Sequence, residues 1–103
     1  MIHEYDKHTK VKELAVPPGG KLSMQRHQER SEHWFVAEGT ATVYTLDSSS
    51  DVDLHGVFKQ HQSLHIPVGQ WHQLANEHDV DLKLVEIQYG TNCIEEDIER
   101  KAT

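Results

Sequence analysis

Four residues carry donor atoms at spacings that a metal ion could use. Gln25 and His27 are two apart, so on a strand they project from one face. Glu32 follows five residues on, beside the hydrophobic run opened by Trp34, and His72 lies 40 residues beyond Glu32, just after a Pro67-Val68-Gly69 turn. Brought together in a barrel, they would present an amide oxygen, two imidazole nitrogens and a carboxylate. That set suits zinc, manganese, iron, cobalt or nickel, and does not suit Cu(I), which wants sulfur. One carboxylate against a divalent ion leaves about one positive charge, so the ion stays a useful Lewis acid. On spacing alone, the set reads equally well as coincidence in a chain with nine histidines.

The elements that must hold these residues are short and β-rich. Residues 1–9 are polar and read as a tail or an edge extension, and residues 10–103 as a single domain. Val11, Leu14 and Val16 lead into Pro17-Pro18-Gly19-Gly20, which cannot continue a strand and reads as a turn. Leu22 and Met24 then alternate with Lys21, Ser23 and Gln25. Residues 34–37 and, after Gly39, residues 40–46 are rich in the β-branched and aromatic side chains that strands prefer. Residues 47–51 read as a solvated loop. Further strands are expected over 54–58, 63–66, 72–75 and 82–89. In the last, Leu82, Leu84 and Glu86 share one face while Lys83, Val85 and Ile87 take the other. Residues 94–100 are expected to form one or two helical turns, with Ile94 and Ile98 on one side. Many short strands indicate an all-β sandwich or small barrel, and the pattern alone does not choose between them.

A chain of 103 residues, 36% hydrophobic, has room for one core and should bury roughly 65% of the surface its unfolded form exposes. Ten Lys and Arg against seventeen Asp and Glu leave a charge of −7, which argues against a nucleic-acid partner. No apolar run approaches the ~20 residues that span a bilayer, and Met1-Ile2-His3-Glu4 does not open like a signal peptide, so no membrane partner is expected. The lone cysteine, Cys93, can form no intramolecular disulfide and fits a reducing cytoplasm.

Two stretches carry a resemblance. Gly19-x5-Gln25-x-His27-x4-Glu32-x6-Gly39 resembles the first motif of the cupin superfamily, with glutamine at the place of the usual first histidine. Pro67-x-Gly69-x2-His72-x3-Asn76 resembles the second, although the glycine expected six positions before Pro67 is His61 here. The resemblance implies a small antiparallel jelly-roll barrel with one metal ion inside. A closer likeness is to type II mannose-6-phosphate isomerases, in which such a cupin usually follows a mannose-1-phosphate guanylyltransferase domain. Gln25, His27, Arg30, Glu32, His33 and Trp34 match that family's glutamine and histidine two apart followed by Arg-x-Glu-His-Trp. Ile66-Pro67-Val68-Gly69-x-x-His72 and Leu84-Val85-Glu86-Ile87-Gln88-x-Gly90 continue the match, which runs from about Val11 to Arg100. The guanylyltransferase domain, the family's Arg-Pro-Trp-Gly opening and its acidic–Tyr-Gly-Arg tail are not in this sequence. Nucleotidyl transfer is therefore not implied, and catalytic competence follows less directly than the fold.

The resemblance implies a metal-dependent isomerase that interconverts mannose 6-phosphate and fructose 6-phosphate by moving a proton between C1 and C2. One divalent ion, zinc first and otherwise manganese, cobalt, nickel or iron, would be held by Gln25, His27, Glu32 and His72. Lys12, Lys21, His33 and Glu86 are offered for the proton transfer, and nothing in the sequence chooses among them. His33 follows Glu32 and should point to the opposite face of a strand. For the phosphate, Arg30 comes first: it is expected in a polar turn, where a guanidinium can bind phosphate bidentately or simply pair with Glu29 in solvent. Lys12 and Arg100 follow, with Glu13 standing where the family has a basic neighbour of Lys12. Trp34 and Trp71 read as core or rim packing, Trp71 facing away from the metal. His55, His61, His65 and His78 read as surface or strand residues, and Cys93 has no catalytic role. Two other functions fit the same residues: a cupin that binds a sugar or sugar nucleotide without catalysis, and a metal-dependent oxygenase, because two histidines and a carboxylate leave open positions on Fe(II). A cytoplasmic homodimer is expected, since an outward-facing Phe35 or Trp71 would gain from cover.

Overall fold

The computed structural model describes residues 2–46 and 51–101, so residues 47–50 of the loop expected over 47–51 lie outside the described residues. Ten strands account for the regular structure: β1 Ile2–Asp6, β2 Thr9–Val16, β3 Met24–Arg26, β4 Arg30–Glu38, β5 Ala41–Leu46, β6 Val52–Phe58, β7 Ser63–Ile66, β8 His72–Ala75, β9 Leu82–Gly90 and β10 Glu99–Lys101. They form two five-stranded antiparallel sheets, ordered β1-β2-β9-β4-β7 and β10-β3-β8-β5-β6. This is the all-β jelly-roll barrel the motifs imply.

The alternation of side chains explains both the register and the site. On β2 the inward residues are Lys10, Lys12, Leu14 and Val16; on β4 they are Arg30, Glu32, Trp34 and Val36; on β9 they are Leu82, Leu84, Glu86 and Gln88. Antiparallel pairing lines these up in rows across the sheet: Lys10–Gln88–Glu32, Lys12–Glu86–Trp34, then Leu14–Leu84–Val36. One end of the barrel is therefore apolar and the other polar. The apolar end closes on Ala41, Val43 and Leu74 of the opposite sheet, with Ile66 and Leu64 from β7. Fully burying one such aliphatic side chain contributes about 1.5–3 kcal/mol.

The short helix expected near the C-terminus is not there. Residues 94–97 make one turn, closed where the Asp97 N–H donates to the Ile94 carbonyl at 3.2 Å, and the chain then enters β10. Ile94 is exposed and has no apolar face to complete, whereas residues 99–101 gain a ladder with β3, Arg100 opposite Gln25. Strand pairing wins over the i, i+4 pattern.

Two turn glycines separate conformational strain from collision. Gly19 and Gly39 have φ of +80° and +84°, a region that favours glycine. A Cβ at Gly19 would meet nothing within 4 Å, whereas at Gly39 it would lie 2.4 Å from the Asp81 carbonyl oxygen. Gly19→Ala should cost about 1 kcal/mol in denaturant melts and Gly39→Ala about 2–3 kcal/mol. Equal losses would show that collision at the Asp81 backbone is relieved by movement.

Candidate metal centre

The polar end of the barrel encloses a cavity of about 240 Å³. Gln25 on β3, His27 just beyond it, Glu32 on β4 and His72 on β8 all face it, with Gln25 paired directly to His72 across the sheet. His27, Glu32 and His72 are 1–3% exposed, and one donor atom from each lies within 4.8 Å of the others. His27 Nε2 is 3.1 Å from Glu32 Oε2, and His72 Nε2 is 3.9 Å from Glu32 Oε1.

The second nitrogens of the two rings show how well this set suits a metal. His27 Nδ1 is 2.8 Å from the Asp97 carbonyl oxygen and His72 Nδ1 is 2.9 Å from that of Gln70. A carbonyl only accepts, so each Nδ1 carries a proton and each ring turns its Nε2 inward. That is the tautomer a metal takes, oriented from behind by backbone. Burial lowers the pKa of His72 despite the nearby Glu32 charge, which keeps the ring neutral. For Glu32, burial opposes ionisation, yet the contact with His27 and the positive field of its neighbours, Arg30 included, hold the carboxyl at about 2. Two imidazoles and one carboxylate fit zinc, manganese, iron, cobalt or nickel, and Gln25 lines the same cavity.

Arg30 differs from the expectation of a solvated turn. It opens β4 and is 5% exposed. Its Nε donates to Glu32 Oε2 at 3.1 Å, one terminal nitrogen donates to His27 Nε2 at 3.3 Å, and the other to the Ile94 carbonyl at 3.1 Å. Trp34 is more than packing: its indole N–H donates to Glu32 Oε1 at 2.9 Å, and its ring meets His72 edge-on at 5.4 Å. Same-face alternation two residues from Glu32 was the available signal for both. Asp97 had none. Its carbonyl aims His27, and its carboxylate accepts from the Gln28 and Glu29 N–H groups at 2.9 Å each, tying the C-terminal segment to the ligand turn.

Of the residues offered for proton transfer, Glu86 and Lys12 face the cavity and Lys21 and His33 do not. Lys21 is exposed beside Tyr44 and Glu77, and His33 is paired between His65 and Ile87 on the outer face of its sheet, as its position after Glu32 requires. Glu86 is 6% exposed and accepts from Gln88 Nε2 at 2.5 Å. Burial, helped by the charge of Glu32, raises its carboxyl to about 7. Lys12 and Arg100 line the mouth, where Glu95 lies 3.8 Å from Lys12 Nζ. A wider depression of about 550 Å³ lies outside the barrel, by Lys7 and Cys93; it is open and borders none of the histidine ligands. His55, His61, His65 and His78 are exposed. Trp71 is half-buried under the Arg26 guanidinium, 4.8 Å from its ring.

Residues 1–102 match the family described as mannose-6-phosphate isomerase C-terminal. The alginate biosynthesis protein AlgA of Pseudomonas aeruginosa is 40% identical over 90 residues, covering 87% of this chain and 18% of that protein. A mannose-1-phosphate guanylyltransferase of Escherichia coli is 41% identical over 92 residues, covering 89% and 18%. The chain thus spans less than a fifth of the length of the curated relatives it matches. Among solved structures, a sugar phosphate isomerase of the cupin superfamily from Silicibacter pomeroyi superposes with a TM-score of 0.67 at 20% identity, over 82% of this chain and 52% of that one. That likeness concerns the fold, a cupin barrel.

The geometry predicts that His27→Ala and His72→Ala each lose bound metal by elemental analysis while keeping the β-rich circular dichroism spectrum. His33→Ala, on the outer face, should retain it. Full metal content in both ligand variants would sink the assignment.

Proposed function

The chain belongs to the mannose-6-phosphate isomerase C-terminal family, and on that premise we propose that it is a metal-dependent aldose–ketose isomerase acting on mannose 6-phosphate and fructose 6-phosphate. The observation that carries the reading is a single cavity holding both the His27–Glu32–His72 set and Glu86, a carboxyl raised to about 7. When bound, the ion, zinc first among the metals this donor set fits, would supply the positive charge that polarises the sugar oxygens at C1 and C2.

The chain's own groups do the rest. Gln25, His27, Glu32 and His72 would hold the ion. The Glu86 carboxylate takes the proton from C2 and returns it to C1 while the hydroxyl proton of O2 passes to O1, and its burial keeps it basic enough to do so near neutral pH. Gln88 holds the Glu86 side chain in place. Lys12 and Arg100 at the mouth, with Arg30 behind them, supply positive charge for the phosphate. Trp34 and the apolar floor keep bulk water from the reacting carbons. A homodimer in the cytoplasm completes the reading. It is supported by the part-exposed Phe35, Ile87 and Tyr89 on one outer face and by the free thiol of Cys93.

The experiment follows fructose 6-phosphate formation from mannose 6-phosphate with protein loaded separately with zinc, manganese, cobalt and nickel. Turnover is expected with at least one of them. Glu86→Gln should lower kcat by roughly 10²–10⁴-fold with metal content unchanged. In the wild-type protein kcat/KM should rise with pH through about 7 as Glu86 loses its proton, and the variant should lack that limb. Binding of the sugar phosphate without turnover on any metal would make the protein a binding cupin. Oxygen uptake with Fe(II) would make it an oxygenase.

A further inference from the structure

Arg30 makes an unusual pair of contacts. Its Nε and one terminal nitrogen form a fork that reaches Glu32 Oε2 at 3.1 Å and His27 Nε2 at 3.3 Å. Those two atoms are themselves 3.1 Å apart and belong to two of the three clustered ligands. A guanidinium has only donors. With an Nδ1 proton committed to the Asp97 carbonyl, His27 Nε2 can accept from Arg30. The fork thus sets a cation against both atoms.

We propose that Arg30 is a built-in counter-cation of the metal centre: it bridges His27 and Glu32 until an ion arrives, and it must release His27 for the ion to bind. The argument rests on the ligand set and not on the isomerase reading. An imidazole nitrogen has one lone pair, so a metal and the Arg30 N–H exclude each other at His27 Nε2. A carboxylate oxygen has more than one, so Glu32 can keep Arg30 as a neighbour after the exchange. The guanidinium also neutralises a carboxylate that is 1% exposed and would otherwise sit buried and unpaired. Arg30 thus preforms the centre and sets its affinity. The third donor contact, to the Ile94 carbonyl, gives the side chain a pivot on the C-terminal segment.

The test compares zinc binding by the chelator-stripped wild-type chain and Arg30→Met. Removing the competitor and its positive charge should tighten zinc binding by roughly tenfold or more, lower the melting temperature without zinc, and enlarge the rise that zinc produces. Arg30→Lys, which keeps a charge but cannot span both atoms, should fall between the two. A residue that merely braces the ligands would weaken zinc binding when removed. Equal or weaker binding by Arg30→Met therefore overturns the proposal, and absence of zinc binding in both proteins overturns the ligand set with it. Should Arg30→Met not fold, the wild-type chain is read directly by NMR. The Nε–H resonance of Arg30 should move as zinc is added, and a signal unchanged at saturating zinc overturns the exchange.

Discussion

The barrel is organised around one carboxylate taken out of water. Glu32 is 1% exposed and ionised, and an ion so placed costs several kcal/mol unless partners surround it. The partners are local in sequence. Arg30 and Trp34 stand two residues either side of Glu32 on the same strand face, one giving charge and the other a neutral indole N–H. Each carboxylate oxygen thus has a donor before any distant element is called upon. What the rest of the fold must deliver is the imidazoles, and it does so from the turn just after β3 and from β8 of the opposite sheet. The inter-sheet packing is therefore also the inter-ligand geometry.

The same strand register makes a floor and a mouth. Three strands, β2, β4 and β9, each place polar and apolar residues at opposite ends of their inner faces. Antiparallel pairing brings like ends together. A slip by one residue would turn Glu13, His33 and Lys83 inward and carry Glu32 and Glu86 out, so the core and the centre enforce one register together. Glu86 sits at the boundary: Leu84 lies one row below it on the same strand face, and Lys12 and Trp34 flank it on the neighbouring strands.

Much of this could be read from the chain. The alternation over 82–87 gave the correct inner face, the strands over 63–66 and 72–75 stand where they were expected, and the two histidines singled out by spacing are the buried ones among the described residues. Side-chain alternation also assigned His33 to the outer surface. What escaped depends on contacts between residues far apart in sequence. Arg30 looked like a loop residue because the beginning of β4 is polar throughout, and only the fold shows that polarity to be internal. The segment 94–100 has a helical spacing, but its fate was decided by an unpaired edge at β3, which no local pattern discloses. Gln28 and Glu29 gain their backbone partner in Asp97 by the same long-range closure.

That closure carries a consequence for biogenesis. The His27 ring is aimed by the Asp97 carbonyl, 70 residues later in the chain, and Gln25 is flanked by Arg100 of β10. A polypeptide emerging from the ribosome N-terminus first, at about 5–20 residues per second, has all four candidate donors once His72 is made, yet the backbone partner of His27 Nδ1 comes only with Asp97. In the proposed centre, the orientation of the first imidazole therefore waits on a segment made after all four donors.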